Sequence, residues 1–283
     1  MKNAILLLSC PDQKGIVAKI SQFIFEHNGN IEHADQHIDA QSNTLFMRIE
    51  WSLNTFAIAK EKIAGIFEPL AREFSMKWNL YFSHETPRVA LMVSKYLHCL
   101  YDVLLRYREG QFKCEIPLLI SNHSNAQNVA QHFGIDFYEF SISPENKGEQ
   151  EKKQLTLFKE KRIDLVVLAR YMQILTPQFI ADFSYKIINI HHSFLPAFVG
   201  KQPYYQAYQK GVKIIGATSH YVTEELDSGP IIEQDTVRIS HRDSLNDLVR
   251  KGEDLEKVVL SRAMKWHLER KILVYNNKTV IFD

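Results

Sequence analysis

Cysteine is scarce in this sequence. Cys10, Cys99 and Cys114 make up the whole set, with no CxxC or CxH spacing. Three unpatterned thiols argue against a disulfide framework or a cysteine-rich zinc site, and fit reduced thiols in a cytoplasmic protein. Charge of one sign is also missing: 34 Lys and Arg against 33 Asp and Glu leave a net +1. That balance leaves no electrostatic footprint for nucleic acid or a membrane surface. No apolar run is long enough to cross a bilayer. The N-terminal one covers residues 4–8 before Pro11 and Asp12, too short for an export segment, and reads as a first strand. The strand at 88–94 is followed by SKYLHCL and not by GxGxxG, which argues against nicotinamide chemistry. His191, His192, His220 and Asp227 could suggest a metal site, but vicinal histidines on a strand point opposite ways and neither HxH nor HExxH appears, so no metal is expected.

What is present is a soluble globular composition, 45% hydrophobic and 24% charged over 283 residues, enough for two domains. The front of the chain reads strand 4–9, helix 16–29, a weak strand 30–39, strand 44–51, helix 55–72 and strand 77–83. In TLFMRIEW, Leu45, Met47, Ile49 and Trp51 alternate onto one face. The order βαββαβ within the first 85 residues predicts a ferredoxin-like α/β domain. Polar SHETPRVA, 83–90, reads as a linker, giving a front domain over 1–84 and a back domain over 85–283.

From residue 88 strands and helices alternate. Strands are read at 88–94, 115–122, 137–142, 164–169 and 187–190, with helices at 97–109, 125–133, 145–161 and from Pro177. The near-continuous apolar DLVVLA (164–169) suits a central parallel strand covered on both faces. This order predicts an open, mostly parallel, Rossmann-like sheet. The last third turns mixed: strands near 213–222 and 230–238, a helix over 244–268 and a final hairpin around Asn276 and Asn277.

The stretch that organises the back domain is IINIHHSFLP, 187–196. An apolar strand runs straight into an amide and an imidazole, so its carboxyl end opens into a cleft, where open α/β sheets place their ligands. Asn189 and His191 are two apart and share a side of the strand. Asp227 lies in the loop between two later strands, in TSHYVTEELDSGPII. Taken singly, each of the three has a plainer structural reading as turn or core residue. Tyr204, Tyr205 and Tyr208 read as a helix face, and the lysines and glutamates around Lys152 as a solvated helix.

Residues 189–196 and 220–231 resemble NIHxSxLP and HxVTxELDxGPI, the two signatures of the formyltransferase-fold enzymes that use 10-formyltetrahydrofolate. DQKGIVAKIS at the front resembles the start of an ACT domain, a small regulatory module that dimerises and binds amino acids. Longer matches at 121–123, 164–175, 188–200 and 216–235, together with the ACT-like front, resemble the formyltetrahydrofolate deformylases along essentially the whole chain. The resemblance implies hydrolysis of 10-formyltetrahydrofolate to formate and tetrahydrofolate, feeding purine synthesis, with folate as substrate and no cofactor. It implies Asn189, His191 and Asp227 as catalytic residues. Arg170, Met172, Gln173, Leu175, Val222, Thr223 and Glu224 would hold the folate. Asp12, Gly15 and Ile16 would meet an amino-acid effector, although Asp12 as a plain helix cap stays open. A homo-oligomer, dimer or tetramer, is implied as well. The rival within the same fold is a glycinamide ribonucleotide transformylase-like enzyme with an amine acceptor. It holds a phosphate on a glycine-rich loop where SKYLHCL stands here, which favours water. The chain departs from the deformylase pattern at Lys201, Gln202 and Tyr205, the last where a histidine is expected.

Overall fold

The structure, a computed structural model, describes residues 2–197 and 203–283. The chain folds into two compact units: 1–86 with 270–275 and 280–283, and 87–269 with 276–279.

In the first unit, β1 (Asn3–Pro11), α1 (Ile16–Glu26), β2 (Asn30–Asp39), β3 (Thr44–Ser52), α2 (Lys60–Glu73) and β4 (Lys77–Phe82) follow in the expected order. The sheet runs β2-β3-β1-β4, all antiparallel, as the ferredoxin-like reading requires. Leu45, Met47, Ile49 and Trp51 do share one buried face, packed with Leu6, Leu8, Ile16, Ile20 and Phe67. The second helix starts at Lys60, later than the expected residue 55, because Ile58 is drawn into the core by the loop before it.

Residues 3–8 of β1 are all buried, on both faces of the sheet, so the outer face also needs cover. Leu7 and Phe46 on that face pack with Phe282, and with Leu273, Tyr275 and Val280 around it. The end of the chain therefore belongs with the front unit, whereas the sequence pattern places all of 85–283 in the back domain. Pattern alone shows that Leu7 is apolar, but not which distant segment covers it.

The second unit is built on a seven-stranded sheet. Its elements are β5 (Arg88–Val93), α3 (His98–Arg108), β6 (Glu115–Ser121), α4 (Gln127–Phe133), β7 (Asp136–Glu139), α5 (Lys147–Glu160), β8 (Leu165–Leu168), α6 (Pro177–Asp182), β9 (Ile187–His191), α7 (Pro203–Lys210), β10 (Ile214–Tyr221), β11 (Ile231–Arg238) and α8 (Leu245–Leu268). The order is β11-β10-β9-β8-β5-β6-β7; β9, β8, β5, β6 and β7 are parallel, and β10 and β11 are antiparallel additions. A short hairpin, β12 (Ile272–Tyr275) and β13 (Lys278–Ile281), closes the chain. All four residues of β8 are buried, as the apolar run predicts for a central strand.

The chain moves outward from β5 to β6 and β7, then returns to lay β8 on the other side of β5. That reversal is the point where open α/β sheets leave a crevice at the strands' carboxyl ends. Two loops meet there. Ser94 N–H donates to Arg170 O at 3.2 Å, and Met172 N–H donates to Ser94 Oγ at 3.0 Å. The Ser94 hydroxyl in turn donates to Asn122 Oδ1 at 2.6 Å, which gives the SNH segment a scaffolding task. Glu151 is buried, against the solvated helix that its neighbours suggest; Thr176, which caps α6, donates to it through both backbone N–H and hydroxyl.

Candidate active site

The β9–β10 register sets Asn189 opposite His220 and His191 opposite Thr218. A bulge in the β10–β11 pairing falls between Ser219 and His220, a device that re-aims a side chain at a sheet's end. Asn189 Nδ2 and His220 Nε2 lie 3.2 Å apart, while His220 Nδ1 is 2.9 Å from Tyr221 O. An Nδ1–H donating to that carbonyl leaves Nε2 to accept from the Asn189 amide, which fixes which way the carboxamide faces.

Asp227 arrives from the β10–β11 loop with a left-handed backbone, φ 54°. Its Oδ2 is 3.2 Å from His191 Nδ1 and its Oδ1 is 3.6 Å from His220 Nε2. Burial raises the Asp227 carboxyl, but the hydrogen bond from His191, with the His220 imidazole close by, overrides that and holds it well below the usual carboxylate range. With Nδ1 engaged by Asp227, His191 Nε2 is buried and has no hydrogen-bond partner among the described residues. A buried unpaired ring nitrogen in a cleft is a polar position left open for a ligand.

The loop is pinned from three sides. Tyr221 N–H donates to Pro230 O, Asn277 Nδ2 donates to Ser228 O at 2.8 Å, and Thr279 Oγ1 donates to Ile231 O at 2.6 Å. Gly229 passes so close to β10 that a Cβ there would lie 1.8 Å from Tyr221 O. No side chain but hydrogen fits, so glycine is required by close approach.

Asn189, His191, His220 and Asp227 line a cavity of about 280 Å³ together with Arg170, Met172, Gln173, Leu175, Val222, Thr223 and Glu224. Every catalytic and folate residue expected from the sequence therefore meets in one cleft. His220 joins them although the sequence offers it no catalytic or folate role, only a place at the start of the second signature and among the rejected metal ligands. His192 also faces this cavity, its ring centroid 5.2 Å from that of His191, whereas strand alternation points it away. The strand ends at His191, so alternation no longer applies to the next residue. Burial, then the charge of Arg170, pushes the His192 imidazole down to about 3, so it is neutral.

A second cavity, about 710 Å³, adjoins the first and is lined by Tyr96, Tyr204, Tyr205, Leu245, Val249 and Glu253 among others. Glu256 is fully buried beside it, 2.8 Å from His98 Nε2 and accepting from the Tyr204 hydroxyl at 2.5 Å. His98, Cys99 and Glu256 bring ligand-type atoms within 4.8 Å of one another. The cation beside this carboxylate is Arg170, whose Nη1 is 3.4 Å from Glu256 Oε2, so the cluster reads as an ion pair. Cys10, Cys99 and Cys114 are free and buried, and burial pushes the Cys114 thiol up to about 12. Such thiols are poor nucleophiles. Lys201 and Gln202 lie outside the described residues.

In the front unit, Gly15 precedes α1 with φ 96° and no side chain caps the helix. Asp12 is thus not the cap; its backbone N–H donates to Asn43 O at 2.8 Å. Ile16 is 1% exposed and belongs to the core.

The formyl transferase family profile matches residues 87–264, and the ACT domain profile matches residues 4–67. A formyltetrahydrofolate deformylase from Synechocystis sp. is 55% identical over 280 residues, 99% of this chain and 98% of the relative. The chain belongs to the formyltetrahydrofolate deformylase family. A second deformylase, from Bacillus subtilis, is 47% identical over 98% of this chain and 93% of its own length. The crystal structure of a formyltetrahydrofolate deformylase from Pseudomonas syringae pv. tomato superposes with a TM-score of 0.97 at 47% identity, covering 100% of this chain and 95% of that one. Deformylase relatives thus match both units, ACT-like front included.

Proposed function

We propose that the protein hydrolyses 10-formyltetrahydrofolate to tetrahydrofolate and formate, with Asn189, His191 and Asp227 as the catalytic set. The observation that carries this is the unpaired His191 Nε2 in the cavity that Asn189 also lines, with Asp227 paired to the other nitrogen of the same ring. Water adds to the formyl carbon and its carbonyl oxygen becomes an oxyanion. His191 Nε2–H and the second hydrogen of Asn189 Nδ2 are placed to receive that charge. Asp227 takes a proton from the attacking water, and its contact with Nδ1 orients the His191 ring. The C–N10 bond then breaks as the proton held by Asp227 passes to N10. Formate leaves as the anion, and the second water proton is released to solvent.

The pterin head lies against the main chain of 170–175, with Met172, Gln173 and Leu175 on one side and Val222, Thr223 and Glu224 on the other. Both segments line the cavity that holds the catalytic set. Residues 1–84 act as a regulatory ACT domain, with an amino-acid effector near Asp12, Gly15 and Ile16, on a catalytic domain from residue 85. The enzyme works in the cytoplasm as a homo-oligomer and needs no cofactor. Among the described residues no helix is long and apolar enough to cross a membrane. The deciding experiment is incubation of the pure protein with 10-formyltetrahydrofolate in the absence of any amine. Formate equimolar with tetrahydrofolate is expected. Turnover that appears only on adding an amine would establish the transferase reading instead.

A further inference from the structure

The two cavities of the back unit share three lining residues, Arg170, Met172 and His192. The smaller holds the catalytic set. The larger, about 710 Å³, has room for a second small molecule beside the formyl carbon, and Glu253 in its wall would welcome a cation. An amine could therefore be held next to the reaction, which makes the choice of water as acceptor something the protein must enforce.

We infer that Arg170 is the residue that determines the acceptor, its guanidinium closing the passage between the two cavities to amines while water passes. The inference rests on the hydrolytic reading above. Four observations support it. Arg170 holds a left-handed backbone, φ 65°, a conformation that costs a side-chain-bearing residue free energy and glycine none. Its long side chain is nevertheless buried. The guanidinium is fixed in the wall of the larger cavity, 5.0 Å from the Tyr96 ring centroid and 3.4 Å from Glu256 Oε2. Glu256 is itself shared with His98 and Tyr204, and Arg170 Nε and Nη1 make no hydrogen bond among the described residues, so the wall does not take up all the N–H groups of this cation. The passage then presents a permanent positive charge, a thioether and the neutral His192 imidazole. A primary amine arrives as an ammonium ion and is repelled in this low-dielectric neck. Water carries no charge and is small enough to enter.

The competing reaction is formyl transfer. The amine nitrogen bonds the formyl carbon, the C–N10 bond breaks, and the proton lost by the amine goes to N10. The test runs full-length wild type, Arg170→Gly, Arg170→Met and Arg170→Lys with 10-formyltetrahydrofolate and excess glycinamide. The readout is the ratio of N-formylglycinamide to formate by mass spectrometry, with folding checked by circular dichroism. Arg170→Gly suits the backbone and empties the passage; Arg170→Met keeps most of the volume and removes the charge. In each folded variant the ratio is expected to rise about tenfold or more. Arg170→Lys, which keeps the charge, is expected to hold the wild-type ratio. A folded glycine or methionine variant with an unchanged ratio would overturn the inference, as would a lysine variant that rises as far as they do. The wild-type control without amine is read separately: if it yields no formate, the hydrolytic reading fails, whatever the ratios show.

Discussion

Replacing Asp227 by asparagine isolates the electrostatics of the proposed mechanism from its geometry. The side chain is nearly isosteric, its exposure in the fold is only 12%, and a carboxamide oxygen can still accept from His191 Nδ1, 3.2 Å away. Two things are lost. The base that takes the water proton is gone, and a positioned base contributes about 10²- to 10⁴-fold. The negative partner of His191 is gone as well. Opposite charges about 4 Å apart at an effective dielectric near 20 attract by about 4 kcal/mol, and the positive charge that builds on His191 as it donates to the oxyanion loses that support. These effects act on one step and do not simply multiply. A fall in kcat of about 10³- to 10⁵-fold is expected, with folate affinity nearly intact because the 170–175 and 222–224 walls are untouched. Formate release in single turnover and calorimetric titration of tetrahydrofolate measure the two separately. A variant within tenfold of wild-type kcat would refute the role given to Asp227.

The same substitution has a signature in stability. Asp227 is held below its unfolded carboxyl value by His191 and His220, so the folded state prefers the ionised form. That stabilisation is fully present above the unfolded pKa, about 3.9, and is lost as pH falls through the lower folded value. The difference in thermal midpoint between wild type and Asp227→Asn should therefore be constant near neutrality and shrink below about pH 4. A gap that widens on acidification would mean the pairing is not as drawn.

Three further outcomes are expected. His220→Ala frees the Asn189 carboxamide to turn; kcat should fall about 10- to 100-fold with KM little changed, and a matching rise in KM would instead implicate His220 in folate binding. Gly229→Ala forces a Cβ onto Tyr221 O and displaces the Asp227 loop, so activity should drop by about 10² or more while far-ultraviolet circular dichroism is retained; near-normal activity would show that the loop can relax. Phe282→Ala removes a 1% exposed side chain packed on Leu7 and Phe46. A loss of about 3–5 kcal/mol is expected by urea denaturation followed through front-unit fluorescence, and a loss below about 1 kcal/mol would mean that the chain end does not cover that face.

The parts legible in the sequence were those with local causes. Alternation at Leu45, Met47, Ile49 and Trp51, and the unbroken apolar run 164–169, fixed strands and their burial because periodicity is a property of neighbouring residues. The cleft was legible because Asn189 and His191 sit on one strand end, and because the resemblance tied them to Asp227. What escaped needed contacts between distant segments. His220 became a site residue through its register opposite Asn189 and a one-residue bulge, neither of which composition announces. Glu151 looked like one more charge on a lysine-rich helix, yet it is buried under Thr176, 25 residues on. Phe282 looked like the end of the back domain, yet it completes the outer face of the first sheet.

The cleft also shows where local rules yield to the site. Arg170 and Asp227 are two non-glycine residues with positive φ, one at each wall of the same cavity. Neither is an asparagine in a tight turn, where such geometry is ordinary. Each is held by contacts that outweigh the backbone cost: Arg170 O accepts from Ser94 N–H, and the Asp227 loop is pinned through Ser228 and Pro230. Strain of this kind persists only where surrounding structure over-determines it. Here it fixes one negative charge beside the His191 and His220 imidazoles and one positive charge where the two cavities share their lining. If the left-handed backbone served only the turn, glycine at 170 would be more stable and equally selective. The acceptor ratio of Arg170→Gly, set beside its thermal midpoint, separates those cases: a variant that gains stability and loses selectivity is the result expected of a residue kept for its charge.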